Sequence, residues 1–161
     1  MGDYMLEGGD IVQLEPNLVL VGIGPRTNIG ALNLFRNTFP EIEFVPFSTV
    51  RGDKAFHIDT NLGILGEKHL VYLPELVPSE IVDSLKQRGY SFVEADPDEY
   101  DTCCTNVLAI NDRKIIAPAE NVITNRRIKN SGVEVIEVAL GEILEQGGGP
   151  HCLTLPLVRE K

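Results

Sequence analysis

The chain has 161 residues, of which 43% are hydrophobic, and its 14 basic and 24 acidic side chains give a formal net charge of −10. This length and composition predict one soluble globular domain, and an acidic chain without a basic cluster is a poor partner for nucleic acid. No apolar run approaches the ~20 residues of a membrane span, and no secretory pattern opens the chain, so we expect a cytoplasmic protein without a membrane partner.

The cysteines and histidines predict neither a disulfide framework nor a structural metal site. Three cysteines are an odd number for a disulfide framework, and the neighbours Cys103 and Cys104 cannot easily bridge each other because the ring would strain the peptide between them. The chain has no C-x-x-C motif, and its three histidines are far apart in sequence. We therefore expect neither a metal nor a cofactor.

A unit recurs three times along the chain, with successive copies offset by roughly fifty residues. Each copy opens with two short apolar runs across a tight turn, which predicts a β-hairpin. The expected hairpins are Ile11–Glu15 with Leu18–Gly22, Phe56–Leu65 with His69–Leu73, and Asn106–Ile110 with Lys114–Ala117.

A helix and a third strand follow each predicted hairpin. The helices are expected from a Thr27 or Asn28 cap to Asn37, from Pro78-Ser79 to a stop at Gly89, and over Asn121–Lys129. In the first helix Ile29, Leu32 and Phe35 stand at helical spacing, and in the second Ile81, Val82 and Leu85 are expected to face inward. The closing strands are expected at 42–45, 91–94 and 133–138.

The order strand, strand, helix, strand favours modules arranged side by side around a shared core, because one such unit cannot bury both faces of its sheet. We expect a single α/β domain over residues 1–161 with modules at 10–48, 56–95 and 106–138, then a short helix at 141–146 and a C-terminal strand at 151–158. The alternative is a doubly wound sheet, but strands paired by tight hairpins argue against strict strand–helix alternation.

Cys152 is a candidate nucleophile because three glycines, 147–149, deliver it at the start of an apolar run that predicts a strand. His57 can transfer protons, since its unperturbed pKa lies near neutrality. If 56–65 is a strand, Asp59 lies on the same face as His57 and either orients the ring or binds a cationic substrate. The alternatives are a buried core cysteine and a structural histidine.

Two further carboxylates, Glu7 and Asp10, flank the Gly8-Gly9 pair. Backbone without side chains can approach a ligand closely, so these carboxylates are candidates for substrate binding. The alternative is a solvated turn. A cysteine, a histidine and acids near turns together indicate a nucleophile, a proton carrier and a cation clamp.

Five segments, in this order along the chain, resemble the guanidino-group-modifying (pentein) superfamily of arginine deiminases, dimethylarginine dimethylaminohydrolases and amidinotransferases. They are Leu6–Asp10, Gly22–Asn28, Phe56–Thr60, Asn106–Ile110 and Gly147–Thr154. The resemblance spans essentially the whole chain. It implies a five-module α/β propeller built from strand-strand-helix-strand units, of which this chain resembles the C-terminal three-fifths and lacks the N-terminal modules.

The resemblance also implies roles for individual residues. Cys152 matches the nucleophile and His57 the general acid and base. Glu7 and Asp59 match the carboxylates that bind the guanidinium, and Arg26 matches a position that often holds the substrate's carboxylate. The Gly24-Pro25 pair before Arg26 replaces a serine and an acidic residue that are common there in the superfamily.

The implied function is hydrolysis of the guanidino C–N bond of arginine or a related cationic guanidine through a covalent cysteine thiouronium. Glu7 favours hydrolysis over amidino transfer, because amidinotransferases tend to have aspartate at that position. The alternatives are an amidinotransferase and a non-catalytic binding or assembly protein, since a ribosome-binding translation factor shares the propeller. Three modules leave sheet edges open, so we expect a homo-oligomer or a complementary N-terminal half.

Overall fold

The computed structural model describes residues 3–51, 54–55 and 57–155, and three modules follow one another in these ranges. The first contains β1 (Ile11–Glu15), β2 (Leu18–Ile23), α1 (Ile29–Thr38) and β3 (Glu43–Ser48), followed by a two-stranded ribbon of β4 (Val50–Arg51) and β5 (Lys54–Ala55). The second contains β6 (Leu62–Gly66), β7 (His69–Tyr72), α2 (Ser79–Gln87) and β8 (Ser91–Glu94). The third contains β9 (Leu108–Asn111), β10 (Lys114–Pro118), α3 (Val122–Asn130) and β11 (Glu134–Val138).

The three modules share one strand topology. In each sheet the second strand is central, antiparallel to the first strand and parallel to the third. A tight hairpin suffices for the antiparallel pair, whereas the parallel pair needs a crossover, which the helix provides. The predicted fold class, strand-strand-helix-strand modules of a partial α/β propeller, is confirmed.

Local signals explain where the helices begin and end. The side chain of Asn28 accepts a hydrogen bond from the Ala31 amide at 2.9 Å and so caps α1. α2 and α3 are followed by Gly89 and Gly132 at φ +87° and +93°, a left-handed conformation that favours glycine. Of the residues at helical spacing in α1, Leu32 is fully buried, whereas Ile29, the first residue of the helix, is 55% exposed.

The cores are built between modules. One cluster joins Leu20 and Phe47 of the first sheet with Val82 and Leu85 of α2. A second cluster joins residues of the second sheet, such as Val71 and Val93, with Ile128 of α3 and Ile115 of the third sheet. A third cluster packs α1 on its own sheet. Each helix after the first therefore helps to bury the preceding sheet. Burial of each large apolar side chain stabilises the fold by ~1.5–3 kcal/mol.

Two predicted strands are wrong in part. Residues 58–60 form a 3-10 turn, and the strand begins only at Leu62, because the Thr60 hydroxyl and amide both donate to the His57 carbonyl and hold the turn. Residues 150–153 also form turns, in which the Leu153 amide donates to the Gly149 carbonyl. Phe56 and the end of the predicted C-terminal strand, 156–158, lie outside the described residues.

Shorter elements complete the described ranges. The predicted helix at 141–146 is a 3-10 helix, and further 3-10 segments cover Gly8–Asp10 and Pro97–Thr102. None of the helices in the described part of the chain has the length and apolar character needed to cross a bilayer.

Candidate functional site

Two 3-10 turns and the glycine-rich loop meet at one end of the inner strands and open onto a cavity of about 870 Å³. The cavity is lined by His57, Asp59, His151 and Cys152, together with Gly8 and Gly9 and apolar residues of the inner strands β1, β6 and β9. Three of the predicted site residues, from segments up to 95 positions apart, therefore share one cavity wall.

Cys152 presents the accessible thiol of the chain. The residue is exposed, whereas Cys103 and Cys104 are buried. Its Sγ lies 3.5 Å from Asp59 Oδ2 and 3.0 Å from Asn106 Nδ2. Although the residue as a whole reaches solvent, this packing desolvates the sulfur, and burial followed by the charge of Asp59 raises the pKa of Cys152 to about 11. The thiol therefore needs a nearby positive charge to ionise at neutral pH.

Asp59 is a buried carboxylate without its full set of partners. Its Oδ1 accepts no hydrogen bond from the described residues, and burial raises the pKa of Asp59, an effect that the His151 ring, with Nε2 3.9 Å from Oδ2, partly offsets. A buried acceptor left without a donor is costly to the fold. A cationic ligand in the cavity would supply the missing donors.

The sequence predicted that strand alternation would place His57 and Asp59 on one face, but a 3-10 turn, not a strand, connects them. His57 precedes the turn with an extended backbone, and its side chain contacts Gly9, where a Cβ would overlap the ring. Its Nε2 is 2.6 Å from Glu7 Oε2 and 3.0 Å from Arg26 Nη1. A protonated Nε2 donates to Glu7, whereas an unprotonated Nε2 accepts from Arg26. Both states of a proton carrier thus have a partner.

Glu7 and Arg26 contact the His57 ring but do not line the cavity. Both side chains are partly exposed, and Glu7 Oε2 lies 3.7 Å from Arg26 Nη1. Asp10 is 1% exposed and also lies outside the cavity lining, with its Oδ1 close to Gly22. The structure therefore brings Glu7 and Arg26 to His57 and separates Asp10 from the cavity.

Sequence reasoning gave no role to two residues at the centre of this arrangement. Asn106 is fully buried and contacts both Cys152 and the Asp59 backbone. His151 lines the cavity next to Asp59, with its Nε2 3.9 Å from Asp59 Oδ2. The sequence carries faint signals for both, an asparagine at the head of an apolar run and a histidine next to the cysteine.

The acidic and histidine side chains of this region do not form a metal centre in the described residues. Across residues 3–51, 54–55 and 57–155, no group of three or more His, Cys, Asp or Glu side chains is arranged to hold a metal ion.

Comparison with known sequences identifies relatives along almost the whole chain. A sequence model of the arginine deiminase family matches residues 1–91 and 77–159. An uncharacterized protein of Bacillus subtilis, YkgA, is 33% identical over 159 residues, which cover 99% of this chain and 54% of that protein. The arginine deiminase of Rhodococcus jostii is 28% identical over 191 residues, which cover 96% of this chain and 46% of the enzyme. The chain thus spans about half the length of the curated relatives it matches.

Solved structures share the fold at lower identity. The inosamine-phosphate amidinotransferase of Streptomyces griseus superimposes with a TM-score of 0.82 at 16% identity, over 99% of this chain and 49% of that enzyme. DDAH from Pseudomonas aeruginosa, in complex with citrulline, gives a TM-score of 0.70 at 24% identity, over 92% of this chain and 55% of that structure. These likenesses establish the fold alone.

Proposed function

Since the chain belongs to the arginine deiminase family of the pentein superfamily, we propose that it hydrolyses the guanidino C–N bond of arginine or a related guanidine. The observation that carries this proposal is the buried Asp59 carboxylate, which lies 3.5 Å from the sulfur of an accessible cysteine and whose Oδ1 has no hydrogen-bond partner within the described part of the chain. A planar guanidinium that donates two hydrogen bonds to Asp59 would lie next to the Cys152 sulfur.

The bound cation would also prepare the nucleophile. Burial and the charge of Asp59 hold the pKa of Cys152 high in the unliganded chain. A guanidinium between the two groups neutralises Asp59 and places positive charge beside Sγ, and both changes favour the thiolate. Substrate binding and activation of the thiol are thereby coupled.

The proposed reaction proceeds in two steps. The Cys152 thiolate attacks the central guanidino carbon and forms a C–S bond, while protonated His57 donates its proton to the departing nitrogen as the C–N bond breaks. His57, now neutral, takes a proton from water, whose oxygen attacks the thiouronium carbon as the C–S bond breaks. Guanidine and water become a ureido product and ammonia or an amine, and the thiolate is regenerated.

Glu7 and Arg26 support the proton carrier in this proposal. Glu7 stabilises the imidazolium that must form, and Arg26 holds the neutral ring, since each contacts the same Nε2. Glu7 can also accept from a guanidinium nitrogen if it turns from His57 towards the cavity. Asp10 has no direct contact with the guanidine in this proposal, because it lies outside the cavity lining.

We further propose that full activity requires additional propeller modules, from a complementary N-terminal half or from a second copy. The third sheet leaves Ile110, Ile136 and Val138 exposed, although the corresponding surfaces of the first two sheets are covered by a helix. Asp59 is also the only predicted guanidinium carboxylate that lines the cavity in the described residues. A further acceptor from added modules would complete the grip on the cation.

Assays of ammonia and ureido product, on the chain alone and with the N-terminal modules of a full-length arginine deiminase, test the reaction. Cys152→Ser should abolish product, whereas Cys103→Ser, at a buried cysteine, should retain it. Amidino transfer to an added amine without ureido product would replace hydrolysis by transfer. No guanidine binding or turnover in any assembly would favour a non-catalytic protein, and a fully active monomer by light scattering would refute the need for added modules.

A second test addresses the nucleophile. A haloacetamidine, which mimics guanidinium and alkylates thiolates, should label Cys152 ahead of the two buried cysteines, as read from peptide masses. His57→Ala or Glu7→Gln should slow that labelling if the set acts together. Equal labelling of all three cysteines would remove Cys152 from its proposed role.

A further inference from the structure

Asn106 is the point at which three separate parts of the site are tied together. Its Nδ2 donates to Cys152 Sγ at 3.0 Å and to the Asp59 carbonyl at 3.1 Å. Its Oδ1 accepts from the Gly149 amide at 3.0 Å and the Cys152 amide at 3.1 Å. The backbone carbonyl of Asn106 also faces the His151 amide at 3.5 Å. The side chain thus uses both donors and both acceptor positions of its amide.

The orientation of this amide follows from its partners. The Gly149 and Cys152 amides can only donate, so the atom that they face must be the oxygen, and the Asp59 carbonyl can only accept, so the atom that it faces must be the nitrogen. The group that points at Cys152 Sγ is therefore an N–H donor. A donor stabilises a thiolate more than a thiol, because the charge-assisted hydrogen bond is the stronger one.

The two neighbours of the sulfur consequently favour opposite protonation states. Asp59 Oδ2, 3.5 Å away, accepts from the S–H and favours the thiol. Asn106 Nδ2 donates to the sulfur and favours the thiolate. The Gly149 backbone has to approach closely for this arrangement, since a Cβ at that position would lie 2.8 Å from the Asn106 carbonyl oxygen.

We propose that Asn106 is a positioning residue that fixes the 149–152 loop against the Asp59 turn and stabilises the Cys152 thiolate, once it forms, by donating a hydrogen bond to the sulfur. This inference rests on Cys152 being the nucleophile of the proposed function. The asparagine reaches the nucleophile from the start of the third module, 46 positions before the cysteine in the chain.

The pH dependence of Cys152 alkylation by iodoacetamide tests the role, with the modified peptide identified by mass. In Asn106→Asp the carboxylate can still accept from both backbone amides, but the donor to Sγ is replaced by a negative charge. The midpoint should rise by at least about one pH unit, a roughly tenfold smaller thiolate fraction at fixed pH. The midpoint is more informative than a single rate, because a thiolate of higher pKa is also more nucleophilic.

Two further variants make the result decisive. Gly149→Ala pushes the loop away from an unchanged Asn106 and should raise the midpoint in the same direction. Asn125→Asp, at another fully buried asparagine that donates to the Pro118 carbonyl, should leave the midpoint unchanged. Unfolding is distinguishable, since an unfolded Cys152 would titrate near the ordinary cysteine pKa of ~8.5, a shift in the opposite direction.

An unchanged midpoint in a folded Asn106→Asp variant would overturn the proposal. Failure of both the Asn106→Asp and Gly149→Ala variants to fold would also overturn it, because Asn106 would then be a residue of the fold alone. Since iodoacetamide needs no guanidine turnover, a chain that releases no ammonia but shows the shift would refute the hydrolase function and keep the role of Asn106.

Discussion

Replacing Asp59 by asparagine should stabilise the unliganded chain at neutral pH and abolish its response to guanidines. The substitution preserves shape but removes a buried negative charge whose Oδ1 has no hydrogen-bond partner among the described residues. An unsatisfied buried acceptor costs ~1–3 kcal/mol, and more when it is charged. Because the neutral amide still leaves an oxygen without a donor, we expect a gain of about 1 kcal/mol for Asp59→Asn at pH 8.

The sign of the pH dependence follows from the direction of the pKa shift. Burial raises the pKa of Asp59 above its unfolded value of ~3.9, so folded protein holds this proton to higher pH than unfolded protein. The contribution of the protonated Asp59 carboxyl to the free energy of unfolding is fully present below ~pH 3.9, and it is lost as the pH rises through the raised pKa of Asp59. The advantage of Asp59→Asn should therefore be absent at pH 3.5 and reach its maximum at pH values above the raised pKa of Asp59.

Urea unfolding followed by circular dichroism from pH 3.5 to 8.5 measures this difference. A change of about 1 kcal/mol shifts the urea midpoint by roughly 0.5 M if the slope is ~2 kcal/mol/M. Asp112→Asn, at an exposed turn residue, is the matched control and should give a difference independent of pH. Low protein concentration is advisable because the sequence pI is about 4.7.

Ligand addition connects this stability to the proposed site. Arginine at one hundred times its dissociation constant should stabilise the wild type by ~2.7 kcal/mol, and lysine, a cation without a guanidinium, should do much less. Asp59→Asn should lose the arginine effect. A variant less stable than wild type at pH 8, with a deficit that persists on acidification, would show that the carboxylate makes a net favourable contact and would refute this reasoning.

Two further substitutions test the placement of His57 and the packing between modules. Gly9→Ala should strongly reduce guanidine hydrolysis because its Cβ would overlap the His57 ring, while the circular dichroism spectrum stays native. Gly8→Ala should reduce the activity far less, because no atom lies within 4 Å of the added Cβ. Equal losses of activity in the two variants would contradict the contact between Gly9 and His57. Ile128→Ala, fully buried between the second and third modules, should lower the free energy of unfolding by ~2–5 kcal/mol, whereas Val122→Ala, 66% exposed, should change it by less than ~0.5 kcal/mol in urea titrations.

The fold class and most element boundaries could be predicted because their causes are local. The turn at Pro16-Asn17 between β1 and β2, the Asn28 cap and the glycines that end α2 and α3 act within a few residues of their own position. The spacing of apolar residues then indicated which surfaces pack, although Ile29 is exposed because the first turn of a helix can face solvent without disturbing the rest. The resemblance to the family could also be recognised from the sequence, because it depends on five short segments whose order along the chain can be read directly.

Only the tertiary structure decided how the site is assembled. Asp59 is placed by a 3-10 turn that hydroxyl and amide hydrogen bonds stabilise, not by strand alternation, and Asp10 is sequestered behind Gly22 although it closes the same motif as Glu7. The side chain of Asn106 accepts hydrogen bonds from two backbone amides of the 149–152 loop, 43 and 46 residues away. These bonds hold the loop in turns instead of the predicted strand. Pairing between residues so distant in sequence depends on the packing of three modules, and local periodicity carries no information about it.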